Sequence, residues 1–177
     1  LDPKREDCPY PYKELSGCGI GFKLVQGIAQ RNGIATEELG PLLDLVAINT
    51  ACDIVPVTGE NRVLTHFGLK RVNQDPRPGV KSMMQMANVK RRLGVTELVF
   101  TIGPRINAAG RIEHGRQAVE LLLAKDQAQA DHIGLRVDGN NTARQELDKD
   151  ITRSALEHIE QDAFVRDAWS TVVFNET

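Results

Sequence analysis

Along most of the chain, apolar residues recur at the spacing of helices rather than strands. Phe22, Val25, Ile28 and Ala29 line one face over 20–31, and Asn32-Gly33 closes that stretch. Leu39, Leu42, Leu43 and Val46 predict a second helix from near Pro41 to about Asp53, where Pro56 prevents much continuation. A third helix is expected over 61–72. A fourth, near 79–88, carries Val80, Met83, Met84 and Ala87 at helical spacing, with the methionines read as core filling. Residues 116–161 are again helical in pattern, with Asp138-Gly139-Asn140-Asn141 expected to kink or split the run. Residues 169–174, Trp-Ser-Thr-Val-Val-Phe, give the clearest strand signal in the chain. A strand needs a partner, and little else reads as one. The predicted fold is therefore mainly α.

Composition adds few constraints. The 177 residues are 41% hydrophobic and 26% charged, ordinary for a globular protein. No apolar run approaches the roughly 18–20 residues that span a bilayer, and Leu1-Asp2-Pro3-Lys4-Arg5 does not read as a signal peptide. Cys8, Cys18 and Cys52 have neither disulfide nor zinc spacing, so a reducing, cytoplasmic setting is expected. His66, His114, His132 and His158 are scattered and read as surface residues.

Charge distribution changes the picture more. The net charge is -2, yet residues 61–116 carry +8 between acidic flanks of -4 and -6. A basic middle third attracts phosphate, although solvated cationic faces would give the same numbers.

Two constellations could carry chemistry. Asp53 stands at the C-terminal end of the second predicted helix, where the helix dipole disfavours a carboxylate unless a cation sits against it. Capping of the next turn or pairing with an arginine is the alternative reading. Asp44, two and a half turns away, points to the opposite side. The second constellation is Pro104-Arg105-Ile106-Asn107-Ala108-Ala109-Gly110-Arg111, read as a loop. Its small residues permit close approach of a ligand, and guanidinium forks match phosphate oxygens. Salt bridges between helices would use the same arginines. Gly17, Gly19 and Gly21 lack the lysine and spacing of a phosphate loop and are read as close helix packing.

Several stretches together resemble the RecJ nucleases of the DHH phosphoesterase superfamily. They are Asp2-Pro3-Lys4-Arg5 with Cys8-Pro9-Tyr10-Pro11, the segment from Lys13 to Gly19, and Leu43-Asp44-Leu45-Val46-Ala47 leading to Asp53-Ile54-Val55-Pro56. Thr58-Gly59-Glu60-Asn61-Arg62, Pro104 to Arg111, and Asn141 with Arg144 complete the set. Asn49 and Cys52 depart from it, standing where glycine and a small residue are usual.

The resemblance implies 5′-to-3′ hydrolysis of single-stranded DNA in recombination and repair, at a two-metal site using Mn2+ or Mg2+. Asp53 alone maps onto the catalytic and metal-ligand pattern, while Arg105, Asn107 and Arg111 map onto the DNA-facing element. The defining Asp-His-His motif is expected upstream of Leu1 and a phosphate-binding domain beyond Thr177, so the chain is expected to be inactive alone. On this reading residues 1–95 are the C-terminal part of the DHH-type α/β catalytic domain. Residues 96–165 hold the arginine element and bridging helices, and 166–177 begin the next domain with a strand. Single-stranded DNA is the implied partner, with repair proteins as further ones, no membrane, and no oligomeric state specified. The rival readings are a non-catalytic helical module binding nucleic acid or protein, and a sister phosphoesterase acting on short oligonucleotides or pyrophosphate.

Overall fold

The computed structural model describes residues 2–112 and 115–174, with residues 109–112 described for their backbone alone. Helix α1 (Gly17–Arg31) starts earlier than its apolar pattern. Ser16, in extended backbone, accepts the Gly19 N–H on its hydroxyl at 3.1 Å and caps the first turn. Phe22 and Ala29 turn inward, whereas Ile28 remains exposed. A 3-10 helix (Thr36–Leu42) takes up Pro41, so α2 begins only at Leu43 (Leu43–Cys52). Helix α3 (Gly59–Gln74) packs along α2. Gly68 makes that approach possible, because a Cβ there would fall 2.1 Å from the Leu43 carbonyl oxygen. Helix α4 (Pro78–Met86) opens on a proline, whose missing N–H costs nothing in a first turn. Met83 from this helix is fully buried, as core filling requires.

Where a loop was expected, the chain forms one helical rod: α5 (Val95–Glu97), a π-helical turn (Leu98–Ile102) and α6 (Gly103–Ile112). Pro104 explains the widened turn. It has no N–H to give the Phe100 carbonyl, and its ring would crowd that oxygen in an ordinary turn. The N–H of Gly103 instead reaches the Leu98 carbonyl, five residues back. Pro104 to Arg111 is therefore helical; its alanines favour helix once the proline sits near the start.

After α7 (Arg116–Leu122), α8 (Gln127–Gln161) runs for 35 residues without a break at Asp138-Gly139-Asn140-Asn141. Tertiary contacts override the local preference there, since Asp138 pairs with Arg105 and Asn141 is buried. A last turn, α9 (Ala163–Arg166), follows. Residues 171–174 have no ladder partner, and no strand forms among the described residues. The strand propensity of Val172, Val173 and Phe174 is real, but nothing among the described residues offers them an edge.

Two apolar clusters share α2. Val46 joins Leu15, Phe22, Ala29, Leu39 and Leu64 on one side. Ala47 and Ile48 face the larger cluster, which runs through Val80, Met83, Leu98 and Ile102 to Leu121 and Val137. This second cluster draws on residues from both sides of position 95 and holds the π turn against α2 and α4. No helix among the described residues is long and apolar enough to cross a membrane.

Candidate functional site

Asp53 is the residue that ends α2. Its N–H still reaches the Asn49 carbonyl at 2.9 Å, while its own backbone has turned extended. The carboxylate is exposed, and one oxygen accepts the Ile54 N–H at 2.8 Å. The segment it heads is tied down from two sides. Asn61, fully buried, donates its amide to the carbonyls of Glu14 (2.5 Å) and Pro56 (3.0 Å), and accepts the Ser16 N–H at 3.3 Å. The Tyr12 hydroxyl donates to the Thr58 carbonyl at 2.8 Å. Asp53 is thus an exposed carboxylate on a braced turn.

The opposite end of α2 differs. Asp44 is almost fully buried and receives both Nε and Nη2 of Arg77, each at 2.6 Å. The two carboxylates face different surroundings, as their spacing requires. Only Asp53 is open to a ligand.

Helix α6 comes against this end of α2. A Cβ on Gly103 would lie 2.6 Å from the Cys52 sulfur, and the Cys52 thiol donates to the Leu98 carbonyl at 3.7 Å. The turn bearing Asp53 and the helix bearing Arg105 are thereby joined at one seam. Arg105 is largely buried: its Nε donates to Asp138 Oδ1 and its Nη1 to the Thr101 carbonyl, both at 2.8 Å. Asn107 is exposed two residues on. The backbone of Arg111 lies in α6, and its side chain falls outside the described residues, as does His114. Just before α5, Lys90, Arg91 and Arg92 are all exposed, which keeps part of the basic stretch on the surface near this rod.

A divalent cation needs more than Asp53. Among the described residues no group of three or more His, Cys, Asp or Glu side chains converges on a point that could hold a metal ion. His66, His132 and His158 are exposed and belong to no such group. The donor chemistry of Asp53 fits a hard cation as one ligand of a larger set, and the remaining ligands are not supplied by the described residues.

Sequence reasoning singled out Asp53 and the Arg105 segment but not the residues that brace them, Asn61 and Asp138. Asn61 carried a signal, since it belongs to the Thr58-Gly59-Glu60-Asn61-Arg62 stretch. Asp138 gave none, because it sits in a group of residues that reads as a helix breaker.

No family model matches the chain. Over 91% of its length it is 37% identical to the single-stranded-DNA-specific exonuclease RecJ of Bacillus subtilis, of which it covers 20%. Among solved structures, RecJ of Thermus thermophilus in complex with Mn2+ superposes with a TM-score of 0.75 at 30% identity, over 86% of this chain and 22% of that one. The complex of the same protein with Mg2+ gives a TM-score of 0.74 over 82% and 23%. The chain therefore spans about a fifth of the length of these relatives. Over the segment that it shares with them, in sequence and in the course of its helices, this chain is of the RecJ type.

Proposed function

We propose that this chain is the segment of a longer metal-dependent 5′-to-3′ single-stranded-DNA exonuclease that joins the metal site to the DNA-contacting helix, acting in DNA recombination and repair. One observation carries the reading: the seam at Cys52 and Gly103, which sets the exposed Asp53 beside the helix of Arg105 and Asn107. Asp53 would supply one carboxylate oxygen to a Mn2+ or Mg2+ site. Divalent ions in such a site polarise an attacking water and steady the scissile phosphate. Asn61 and Tyr12 hold the turn of Asp53 in place, so the carboxylate meets the ion without a large ordering cost. Arg105, Asn107 and Arg111 would hold the DNA backbone, with the exposed Lys90, Arg91 and Arg92 adding to the attractive field.

One carboxylate cannot hold two cations, so this segment alone does not hydrolyse DNA. Incubating the purified segment with Mn2+ and single-stranded DNA is the test; it leaves the strand intact, and Asp53-dependent degradation would contradict the proposal. Arg105 also supports a second reading, because its contact with Asp138 ties α6 to α8. If that were its entire role, Arg105→Ala in the parent nuclease would lower thermal stability and leave DNA affinity unchanged in folded molecules.

A further inference from the structure

Asp138 and Arg105 form a pair that is built differently from the structural pair in the same molecule. Arg77 shows what an arginine looks like when it serves only to hold helices together. Its Nε and Nη2 both reach the Asp44 carboxylate, Nη1 donates to the Leu122 carbonyl at 2.9 Å, and Nη2 also meets the Pro41 carbonyl at 3.1 Å. Every nitrogen is engaged, and Asp44 is 1% exposed. Arg105 is engaged at Nε, by a single oxygen of Asp138, and at Nη1, by the Thr101 carbonyl. Its Nη2 has no partner among the described residues, and Asp138 itself is 31% exposed.

We infer that Asp138 is a positioning residue for Arg105: with the Thr101 carbonyl it fixes the guanidinium plane and leaves the Nη2 corner for a phosphodiester oxygen of single-stranded DNA. The inference rests on the proposed exonuclease reading and deepens it. Two contacts on two different nitrogens remove the rotamer freedom that a long side chain would otherwise lose on binding. A guanidinium already held in this way donates to phosphate at lower entropic cost than a free one. The π turn contributes directly, since Thr101, whose carbonyl takes Nη1, belongs to the turn that Pro104 widens. The unbroken course of α8 follows from the same pairing. Asp138 lies between the buried Val137 and Asn141, so the tie to α6 adds to the packing that holds the helix there.

The test is steady-state cleavage of a single-stranded oligonucleotide by the intact nuclease, with melting temperature measured on every variant. Asp138→Asn keeps shape and removes the charge; it raises KM about tenfold with kcat nearly unchanged, the scale on which supporting residues act. Asp138→Glu recovers part of the loss, and Asp138→Asn adds nothing further to Arg105→Ala, because both act through one contact. If Asp138→Asn lowers the melting temperature but leaves KM alone, the pair is a strut and the inference fails. If it lowers KM, Asp138 restrains Arg105 instead, and the inference also fails. A KM that is unmoved by Arg105→Ala overturns the DNA-contacting role of Arg105 itself, and with it the inference. Absence of cleavage by the unaltered nuclease overturns both it and the proposed function.

Discussion

Asp44 and Asp53 stand at the two ends of one short helix, yet their surroundings assign them opposite work. Asp44 is buried with Arg77, which also holds the carbonyls of Pro41 and Leu122. Removing one partner of such a pair strands the other charge, so Asp44→Ala should cost about 3–5 kcal/mol in denaturant unfolding. Asp150→Ala, which removes an exposed pair with Arg153, should cost about 1 kcal/mol or less in the same experiment. Equal losses would refute this assignment.

A second carboxylate gives a pH dependence. Partial burial pushes the Glu60 carboxyl up, but hydrogen bonds from Lys23 (2.5 Å) and the Tyr10 hydroxyl (2.6 Å), together with the Lys23 charge, outweigh it and hold it below its ordinary value. A carboxylate whose folded value is depressed stabilises fully above its unfolded value, and that contribution is lost as pH falls through the folded one. Urea midpoints should therefore fall on acidification through the carboxylate range, and Glu60→Gln should make the fall shallower. An unchanged acid slope in that variant would remove Glu60 from the explanation.

At the scale of elements, the seam between α2 and α6 depends on Gly103. Gly103→Ala would drive a methyl group against the Cys52 sulfur, a misfit worth about 1–3 kcal/mol. Cys52→Ala opens the space and should restore part of that loss, and a double-mutant cycle in guanidinium measures the recovery. Additive losses would mean that the two residues do not meet.

The same seam shows what was legible in the sequence. Cys52 stood out as bulkier than the RecJ pattern favours at its position, but its neighbour could not be named until α6 was seen beside it. Helices with a clean period, such as the one carrying Val80 and Met83, were legible because burial follows spacing. The rod from Val95 to Ile112 was not, since Pro104 to Arg111, with its proline and small residues, reads as a loop while the π turn absorbs the proline. The start of α1 was missed because it rests on the Ser16 cap, ahead of the apolar pattern that begins near residue 20. Asp53 and the Arg105 segment stood out by residue type and position, and the resemblance is what implied their roles. Asp138 depends on a contact between helices more than thirty residues apart in sequence, which local reasoning does not reach.

At the scale of the whole molecule, packing is uneven. Helix α8 spans roughly 52 Å at 1.5 Å per residue, but its buried side chains stop at Asn141. Beyond it lie exposed residues, among them Leu147 and Leu156, and then Phe164, Trp169 and Phe174. A helix without a packed face relies on weak local propensity. Amide hydrogens in 146–161 should therefore exchange far faster than those in 130–141, and hydrogen exchange read residue by residue measures this. Equal protection in the two halves would mean that the distal half is held by packing beyond the described residues.

The Mn2+ and Mg2+ complexes of RecJ from Thermus thermophilus share the course of these helices with this chain. Whether Asp53 serves such an ion is decided most directly by digestion of single-stranded DNA in Mn2+ by the intact nuclease, comparing Asp53→Asn with Asp75→Asn, an exposed carboxylate elsewhere on the surface. Loss of most of the activity in the first variant, with a normal rate in the second and both proteins folded, is the outcome expected of a metal-holding carboxylate. A folded Asp53→Asn enzyme that digests DNA at the normal rate would contradict it.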